Sequence, residues 1–175
     1  MTKNSATLNR EPSSKSNAKK SPTYLLREDH KKVKGLFAEF EKSKNPNRQK
    51  EIFETAAKEL KVHMTIEKEL FYPAARIATG DDKLLDEARE EHHVVDVLIS
   101  EIEKLDISKE KDQKVLCAKF TVLSENVTHH IKEEEEDLFP EFDKAKSVDK
   151  EALAEQMEER KNTLKETLKV VVVKS

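Results

Sequence analysis

The chain has 175 residues, of which 39% are charged, 35% are hydrophobic and two are glycine. Sheet-rich folds need many tight turns, which usually require glycine, and strands favour aromatic residues, which make up 5% of this chain. The composition therefore excludes most β and α/β folds and favours long helices in a single domain. The formal net charge is −3, but residues 1–23 hold five basic residues against one acid, or +4, which leaves −7 on the rest. An acidic folded part disfavours nucleic acid as its main partner.

A basic tail precedes the predicted helices. Residues 1–21 are rich in Ser, Asn, Lys and Thr and show no apolar period, which is typical of a disordered segment. Ser21 and Pro22 form a favourable helix start, because serine caps the first turn and proline fits its first position. We therefore place one helical domain at residues 22–170 and a short C-terminal tail at residues 171–175.

Five helices are predicted within this domain from apolar periodicity, capping residues and Gly or Pro breaks. They cover about residues 22–43, 47–78, 82–106, 109–145 and 148–169. Pro73 and Pro140 should kink the second and fourth helices, and Ser147 should cap the fifth. Short connections between long helices make neighbours antiparallel. The predicted fold is therefore all-α, an up-down-up-down four-helix bundle with an additional C-terminal helix.

The cellular compartment is predicted from features that the sequence lacks. Its apolar runs are much shorter than the roughly 18 residues of a membrane span, and no signal-peptide core follows Met1. Cys117 is the single cysteine, so an intrachain disulfide is impossible and a reducing compartment is the default. We therefore expect a cytoplasmic protein without a membrane partner.

The chain contains an internal repeat. Segment 28–37 matches segment 90–99, because in each an acidic pair precedes a histidine and apolar residues follow three, six and seven positions later. Segment 63–73 likewise matches segment 130–140, and both read H-x-x-x-E with proline ten residues after the histidine. The repeat predicts two helix pairs of one design and a bundle with approximate two-fold symmetry.

Helical phase places two histidine–glutamate pairs in the apolar core. Residues four apart lie about 40° apart around a helix, so Glu67 shares the face of His63, and Glu134 shares the face of His130. Of the acidic run around Glu134, Asp137 should also point inward and the others outward. No lysine or arginine occupies the two apolar faces. Because an unpaired buried carboxylate is costly, each glutamate needs a positive charge, which a metal ion would supply.

The first and third helices add His30 and His92 at the borders of their apolar stripes. Helical phase puts the adjacent His93 and His129 on exposed faces, so phase and repeat select the same histidine from each pair. For any one histidine, a hydrogen-bonded core role is the alternative. Together the inward residues are too many for one tetrahedral zinc and suit two octahedral first-row ions bridged by carboxylates. The predicted metal ligands are His30, His63, Glu67, His92, His130 and Glu134.

These motifs resemble those of the hemerythrin-like, or HHE cation-binding, domain family. The resemblance covers about residues 22–169 and consists of Asp-His in the first helix, H-x-x-x-E-x-x-x-(F/Y)-x-P in the second, Glu-His in the third and H-x-x-x-E in the fourth. It implies two non-haem iron ions joined by an oxo or hydroxo group, with manganese and zinc as alternatives. It also implies oxygen, peroxide or nitric oxide as the exogenous ligand.

The chain departs from the oxygen-carrying members of that family at two positions. Asp96 stands where those proteins have a fifth histidine, and Glu135 stands where they have an aspartate, with Glu134 competing for that role. Asp96 is a ligand, an outer hydrogen-bond acceptor or simply a polar edge. A site richer in carboxylate is harder and less suited to reversible oxygen carriage. The departures make peroxide or nitric oxide chemistry, iron handling or redox sensing at least as consistent with the sequence as oxygen carriage.

We therefore expect a di-iron protein with a small diatomic or peroxide ligand, without a nucleic-acid partner, that is a monomer or a weak homodimer. One predicted function is detoxification of peroxide or nitric oxide by a di-iron oxidoreductase. The alternative is a non-catalytic module that binds iron, senses iron or oxygen, or carries oxygen. A structural bundle with merely buried histidines is a third class. The sequence leaves enzyme and binder open, because both require the same ligands.

Overall fold

A computed structural model describes residues 21–173 of the protein, which are helical apart from short connections and contain no strand. The helices in chain order are α1 (Pro22–Lys42), α2 (Pro46–Ile66), α3 (Tyr72–Thr79), α4 (Asp82–Ile102), α5 (Glu110–Glu133), α6 (Phe139–Lys144) and α7 (Lys150–Val173). One π turn (Glu67–Phe71) joins α2 to α3, and a second (Glu134–Leu138) joins α5 to α6. The tail predicted at the N terminus falls, except for Ser21, outside the described residues.

Capping side chains define the helix ends. The Ser21 side chain accepts a hydrogen bond from the backbone N–H of Tyr24, as expected for the cap of α1. Gly80 ends α3 with a φ of 69°, a left-handed conformation that favours glycine. Asp81 then caps α4 by accepting a hydrogen bond from the N–H of Leu84. The break predicted between the second and third helices therefore has a clear local cause.

The start of α7 differs from the prediction. The helix begins at Lys150, and the side chain of Asp149, rather than that of Ser147, accepts a hydrogen bond from the N–H of Ala152. The prediction of Ser147 as the cap was wrong because a second good capping residue stands two positions later, next to the first helical turn. The helix also continues to Val173, beyond the predicted end near residue 169.

The kinks expected at the two prolines take the form of π turns. In the first, the N–H of Tyr72 bonds to the carbonyl of Glu67, five residues earlier. In the second, the N–H of Phe139 bonds to the carbonyl of Glu134. A proline ring clashes with the carbonyl four residues before it, and a wider turn just ahead of the ring relieves that clash. Each π turn also begins at one of the glutamates predicted to bind metal.

Two helix pairs make the bundle. α1 packs against α2, α4 packs against α5, and contacts of α1 with α5 and of α2 with α4 close the structure. α7 lies outside this bundle against α1 and α2. The predicted all-α four-helix bundle with an additional C-terminal helix is thus confirmed. None of the helices within residues 21–173 is long and apolar enough to cross a membrane.

Hydrocarbon fills both ends of the bundle. At the end with the α1–α2 connection, the rings of Phe40 and Phe120 stack with centroids 3.9 Å apart. The cluster at the other end joins the two π turns and α6 to α7 and includes Phe71, Phe139, Phe142, Leu153 and Met157. The space between the two clusters is polar, and the candidate site lies there.

Candidate metal centre

Six polar side chains occupy the middle of the bundle. Each of the four bundle helices contributes one histidine, and each π turn contributes its first residue, a glutamate. These residues, each at most 8% exposed, are His30, His63, Glu67, His92, His130 and Glu134. Charged and polar groups buried so completely are uncommon unless they are paired or bind a metal. The fold therefore brings together the whole set of ligands predicted from the sequence.

The donors form two overlapping groups. In the first, His30 Nε2 lies 3.2 Å from His63 Nε2 and 3.2 Å from Glu134 Oε2. His63 Nε2 lies 3.0 Å from Glu67 Oε1. Two ligands about 2.1 Å from one ion and at right angles to each other are about 3.0 Å apart. The spacing of this first group therefore suits a single metal ion.

The second group lies beside the first and shares its carboxylates. His92 Nε2 lies 3.1 Å from His130 Nε2 and 3.3 Å from Glu67 Oε2. His130 Nε2 lies 3.6 Å from Glu134 Oε2. Glu67 thus directs one oxygen toward each group, and Glu134 is close to a histidine of each. The arrangement is that of two neighbouring groups of possible metal ligands, with the carboxylates of Glu67 and Glu134 between their histidines.

Buried polar atoms without hydrogen-bond partners indicate that the donor set fits metal ions. Glu67 Oε1, Glu67 Oε2, Glu134 Oε2 and His63 Nδ1 are buried and have no hydrogen-bond partner among the described residues. The nearby histidine nitrogens are close enough but are not aligned for hydrogen bonds. A buried carboxylate without a partner carries a large desolvation penalty, which a bound cation would offset. Three of the four unsatisfied atoms are carboxylate oxygens of these two groups of donors.

Tyr72, the first residue of α3, places its hydroxyl at the second group. The O–H donates to Glu134 Oε1 at 3.1 Å and lies 3.3 Å from His92 Nε2 and 3.4 Å from His130 Nε2. Burial, reinforced by the nearby carboxylates, raises the pKa of Tyr72 well above its ordinary value. The hydroxyl therefore keeps its proton and acts as a hydrogen-bond donor.

Outer carboxylates orient two of the histidines. Glu135 Oε1 accepts from His30 Nδ1 at 2.8 Å, and Glu91 Oε2 accepts from His130 Nδ1 at 2.7 Å. Such partners fix the ring so that the opposite nitrogen, Nε2, faces the site, and they raise its strength as a ligand. Glu135 thus has an outer role here, while Glu134 is the inward residue. Glu91 of α4 contacts a histidine of α5, and the pattern of residues along one helix does not reveal such a contact.

The site carries a strongly negative field. Burial alone lowers the pKa of His63, but neighbouring carboxylates, first among them Glu67, outweigh it and raise that pKa to about 10. Burial lowers the pKa of His130 as well, and Glu134 with other carboxylates raises it to about 9. Without metal, protons on these rings balance the carboxylates. A cation that displaces those protons would take over the same charge balance.

The adjacent histidines lie outside the site, as helical phase predicts. His93 is exposed on α4. The side chain of His129 is 63% exposed and pairs with Glu133 at 3.2 Å on the surface of α5. Position on the helix therefore separates inward from outward histidines in both pairs.

Two further acidic residues near the site, Asp137 and Asp96, lie on the surface. Asp137 is exposed, so its predicted inward position was wrong, and Leu138 takes the inward place. The π turn adds one residue to the turn, which rotates later positions by about 100°. Asp96 is also exposed and lines the groove between α2 and α4. Because His92 is already at the edge of its stripe, a residue about 40° further around the helix reaches solvent.

Comparisons with known proteins agree with this geometry. The family profile of the hemerythrin HHE cation binding domain matches residues 21–142. The chain belongs to the hemerythrin HHE cation-binding family. A crystal structure of a hemerythrin HHE cation binding domain-containing protein from Mycobacterium kansasii is similar, with 26% sequence identity, a TM-score of 0.69, and coverage of 84% of this chain and 88% of that one. A comparison with curated proteins gave no match. The hemerythrin-family match ends before α7.

Proposed function

We propose that this chain holds two iron ions between its bundle helices and there binds or converts oxygen, peroxide or nitric oxide. The observation that carries the proposal is the pair of donor groups that share Glu67 and Glu134. Mixed imidazole and carboxylate donors suit first-row transition ions better than calcium or magnesium, whose ligands are mainly oxygen. Iron is the member of that series that the family resemblance favours.

Each residue has a role in this proposal. His30 and His63 would hold one ion, His92 and His130 would hold the other, and the two glutamates would bridge them. Bound iron would supply an open coordination position and electron exchange for an oxygen or nitrogen ligand. The hydrocarbon clusters on both sides of the site would exclude bulk water from it.

The Tyr72 hydroxyl favours chemistry over simple carriage. Its oxygen lies 3.1 Å from Glu134 Oε1, to which it donates a hydrogen bond, beside the two histidines of the second group. A buried O–H at that place can donate a hydrogen bond or a proton to a small ligand. The matching position of the repeat is Phe139, which has no hydroxyl. Of these two matched positions, Tyr72 alone provides a hydroxyl.

Peroxide decay tests the proposal. Iron-loaded wild-type protein should consume hydrogen peroxide, and His130→Ala should abolish this activity by removing a ligand. Tyr72→Phe should retain metal but lower the rate by roughly tenfold or more, the scale expected for loss of a positioned acid. His129→Ala, which changes the adjacent surface histidine, is the matched control and should behave like wild type.

The outcomes separate the two functional classes. Iron-loaded wild type that consumes peroxide no faster than the metal-free chain would contradict the peroxide activity and favour a non-catalytic iron module. Equal losses in His130→Ala and His129→Ala would contradict the assigned site. The second ligand, nitric oxide, is tested in the same way by following its consumption under anaerobic conditions.

A further inference from the structure

Helix α7 reaches the candidate centre although it lies beyond the residues matched by the family profile. Its Lys161 forms an ion pair with Asp29 Oδ1, and the other oxygen of Asp29 lies 3.7 Å from His63 Nδ1. We infer that Lys161 is a positioning residue, which sets through Asp29 how strongly His63 donates to a bound metal ion. This inference rests on the proposed metal-binding function.

The chain of contacts is buried and direct. Asp29 is 8% exposed, and the side chain of Lys161 is 20% exposed, so water screens their ion pair only weakly. His63 Nδ1 is buried without a hydrogen-bond partner, and Asp29 is the carboxylate beside it. The position of the Asp29 carboxylate therefore depends on a competition between the ammonium of Lys161 and the ring N–H of His63.

The repeat provides an internal comparison. Glu91 stands at the position that corresponds to Asp29, and His130 at the position that corresponds to His63. Glu91 Oε2 lies 2.7 Å from His130 Nδ1, a full hydrogen bond, where Asp29 lies 3.7 Å from its histidine. α7 packs on α1 and α2, so its lysine acts on the Asp29 side. The longer distance occurs in the half that has the lysine.

The charge of Lys161 has a predictable effect on the metal. A carboxylate that accepts the outer N–H of a ligand histidine makes that histidine more basic and stabilises the higher oxidation state of the ion. Lys161 holds Asp29 back from this role. Removing the ammonium should let Asp29 hydrogen-bond to His63 and lower the reduction potential of bound iron.

The test compares substitutions on successive turns of α7. Lys161→Met removes the ammonium and keeps the length of the side chain, and Lys161→Arg keeps the charge. Lys165→Met is the matched control, because Lys165 pairs with Glu59 at 3.1 Å and does not touch Asp29. The ring N–H proton resonance of His63 is followed in the metal-free and the zinc-loaded chain, and the reduction potential is followed in the iron-loaded chain.

Lys161→Met should move the His63 resonance downfield, as a stronger hydrogen bond requires, leave the His130 resonance in place and lower the reduction potential. Lys161→Arg and Lys165→Met should match wild type. An unchanged His63 resonance in Lys161→Met, or an equal change in Lys165→Met, would overturn the inference. The metal-free measurement keeps this result separate from metal binding, because a chain that failed to bind metal would contradict the proposed function and still report on the contact.

Discussion

The two halves of the bundle supply the same kinds of donors but surround them differently. In the α1–α2 half, α7 covers the surface, and Lys161 holds Asp29 at 3.7 Å from His63 Nδ1. In the α4–α5 half, the corresponding Glu91 hydrogen-bonds directly to its histidine at 2.7 Å. The repeated sequence thus makes two similar donor groups, and they become unequal through differences at matched positions of the repeat and through Lys161, which lies outside it.

A second difference lies on the α2–α4 side of the site. His30 Nδ1 donates to Glu135, but the residue that corresponds to Glu135 near His92 is Lys68, which is exposed. His92 is the most exposed of the six donors, at 8%, and it lines the open groove between α2 and α4. An outer hydrogen bond therefore fixes the Nδ1 edge of the His30 ring, whereas the outer edge of His92 faces the groove. Substitutions in the two halves should have unequal effects.

The largest expected effect comes from the donors themselves. His92→Ala should remove at least one of the bound metal ions, because the second group would retain a single histidine. His93→Ala, one residue along α4, should retain the wild-type metal content. Metal analysis of both purified variants checks this. Equal metal content in the two variants would contradict the assignment of His92 to the inward face of α4 and of His93 to its exposed face.

The outer carboxylates should have a smaller effect, and the two halves should differ. Glu91→Gln should weaken metal binding by about 10- to 100-fold, the usual scale for an outer partner of a ligand histidine. Asp29→Asn should weaken it less, because Asp29 is further from its histidine. Competition with a chelator of known affinity measures both variants. If both variants lose the same metal affinity, or if Asp29→Asn loses more, the expected link between the carboxylate–histidine distance and metal affinity is contradicted.

A further expected effect is a pH dependence of the metal-free chain. The raised pKa values of His63 (about 10) and His130 (about 9) mean that the folded state binds protons more tightly than the unfolded state, whose histidines titrate near 6.5. This stabilisation is fully present below about pH 6.5 and is lost as the pH rises through 9 to 10. Melting temperatures between pH 7 and 10.5 should therefore fall for the metal-free chain.

The metal-loaded chain is the control for this pH series, because it has the same surface lysines and its ligand histidines are already deprotonated. Its melting temperature should fall less over the same range. Metal loading near neutral pH should also release protons from the two histidines, which calorimetry in buffers of different ionisation enthalpy can count. Parallel pH curves for the two forms would contradict the charge balance described above.

Much of the fold and of the donor set could be predicted from the sequence. The apolar period, the Gly80 break and the repeat predict the helices, and helical phase selects His92 over His93 because adjacent residues are about 100° apart. The inward place of Asp137 was wrong because the kink expected at Pro140 takes the form of a π turn, which shifts the helical phase of the residues after it. Glu91 acts across two helices, on a histidine of α5, and such contacts depend on how helices pack rather than on spacing within one of them.

The hydrogen bond of Tyr72 to Glu134 is another contact between helices that the sequence pattern does not predict. An aromatic residue before a proline inside a helix is most simply a core residue, and the structure does bury Tyr72, at 4% exposure. Its hydroxyl reaches Glu134 only because the first π turn and the contact between the two helix pairs bring them together. The sequence does hold one clue, since the corresponding residue of the repeat is Phe139. A difference between matched positions identifies where two similar halves can diverge in function.

The metal content of protein expressed with ample iron tests the central claim most directly. We expect about two iron ions per folded chain, because two donor groups share the bridging glutamates. Crystals of that protein should show two anomalous-scattering peaks, one beside His30 and His63 and one beside His92 and His130. A chain that is folded and free of bound metal after such expression would contradict the account.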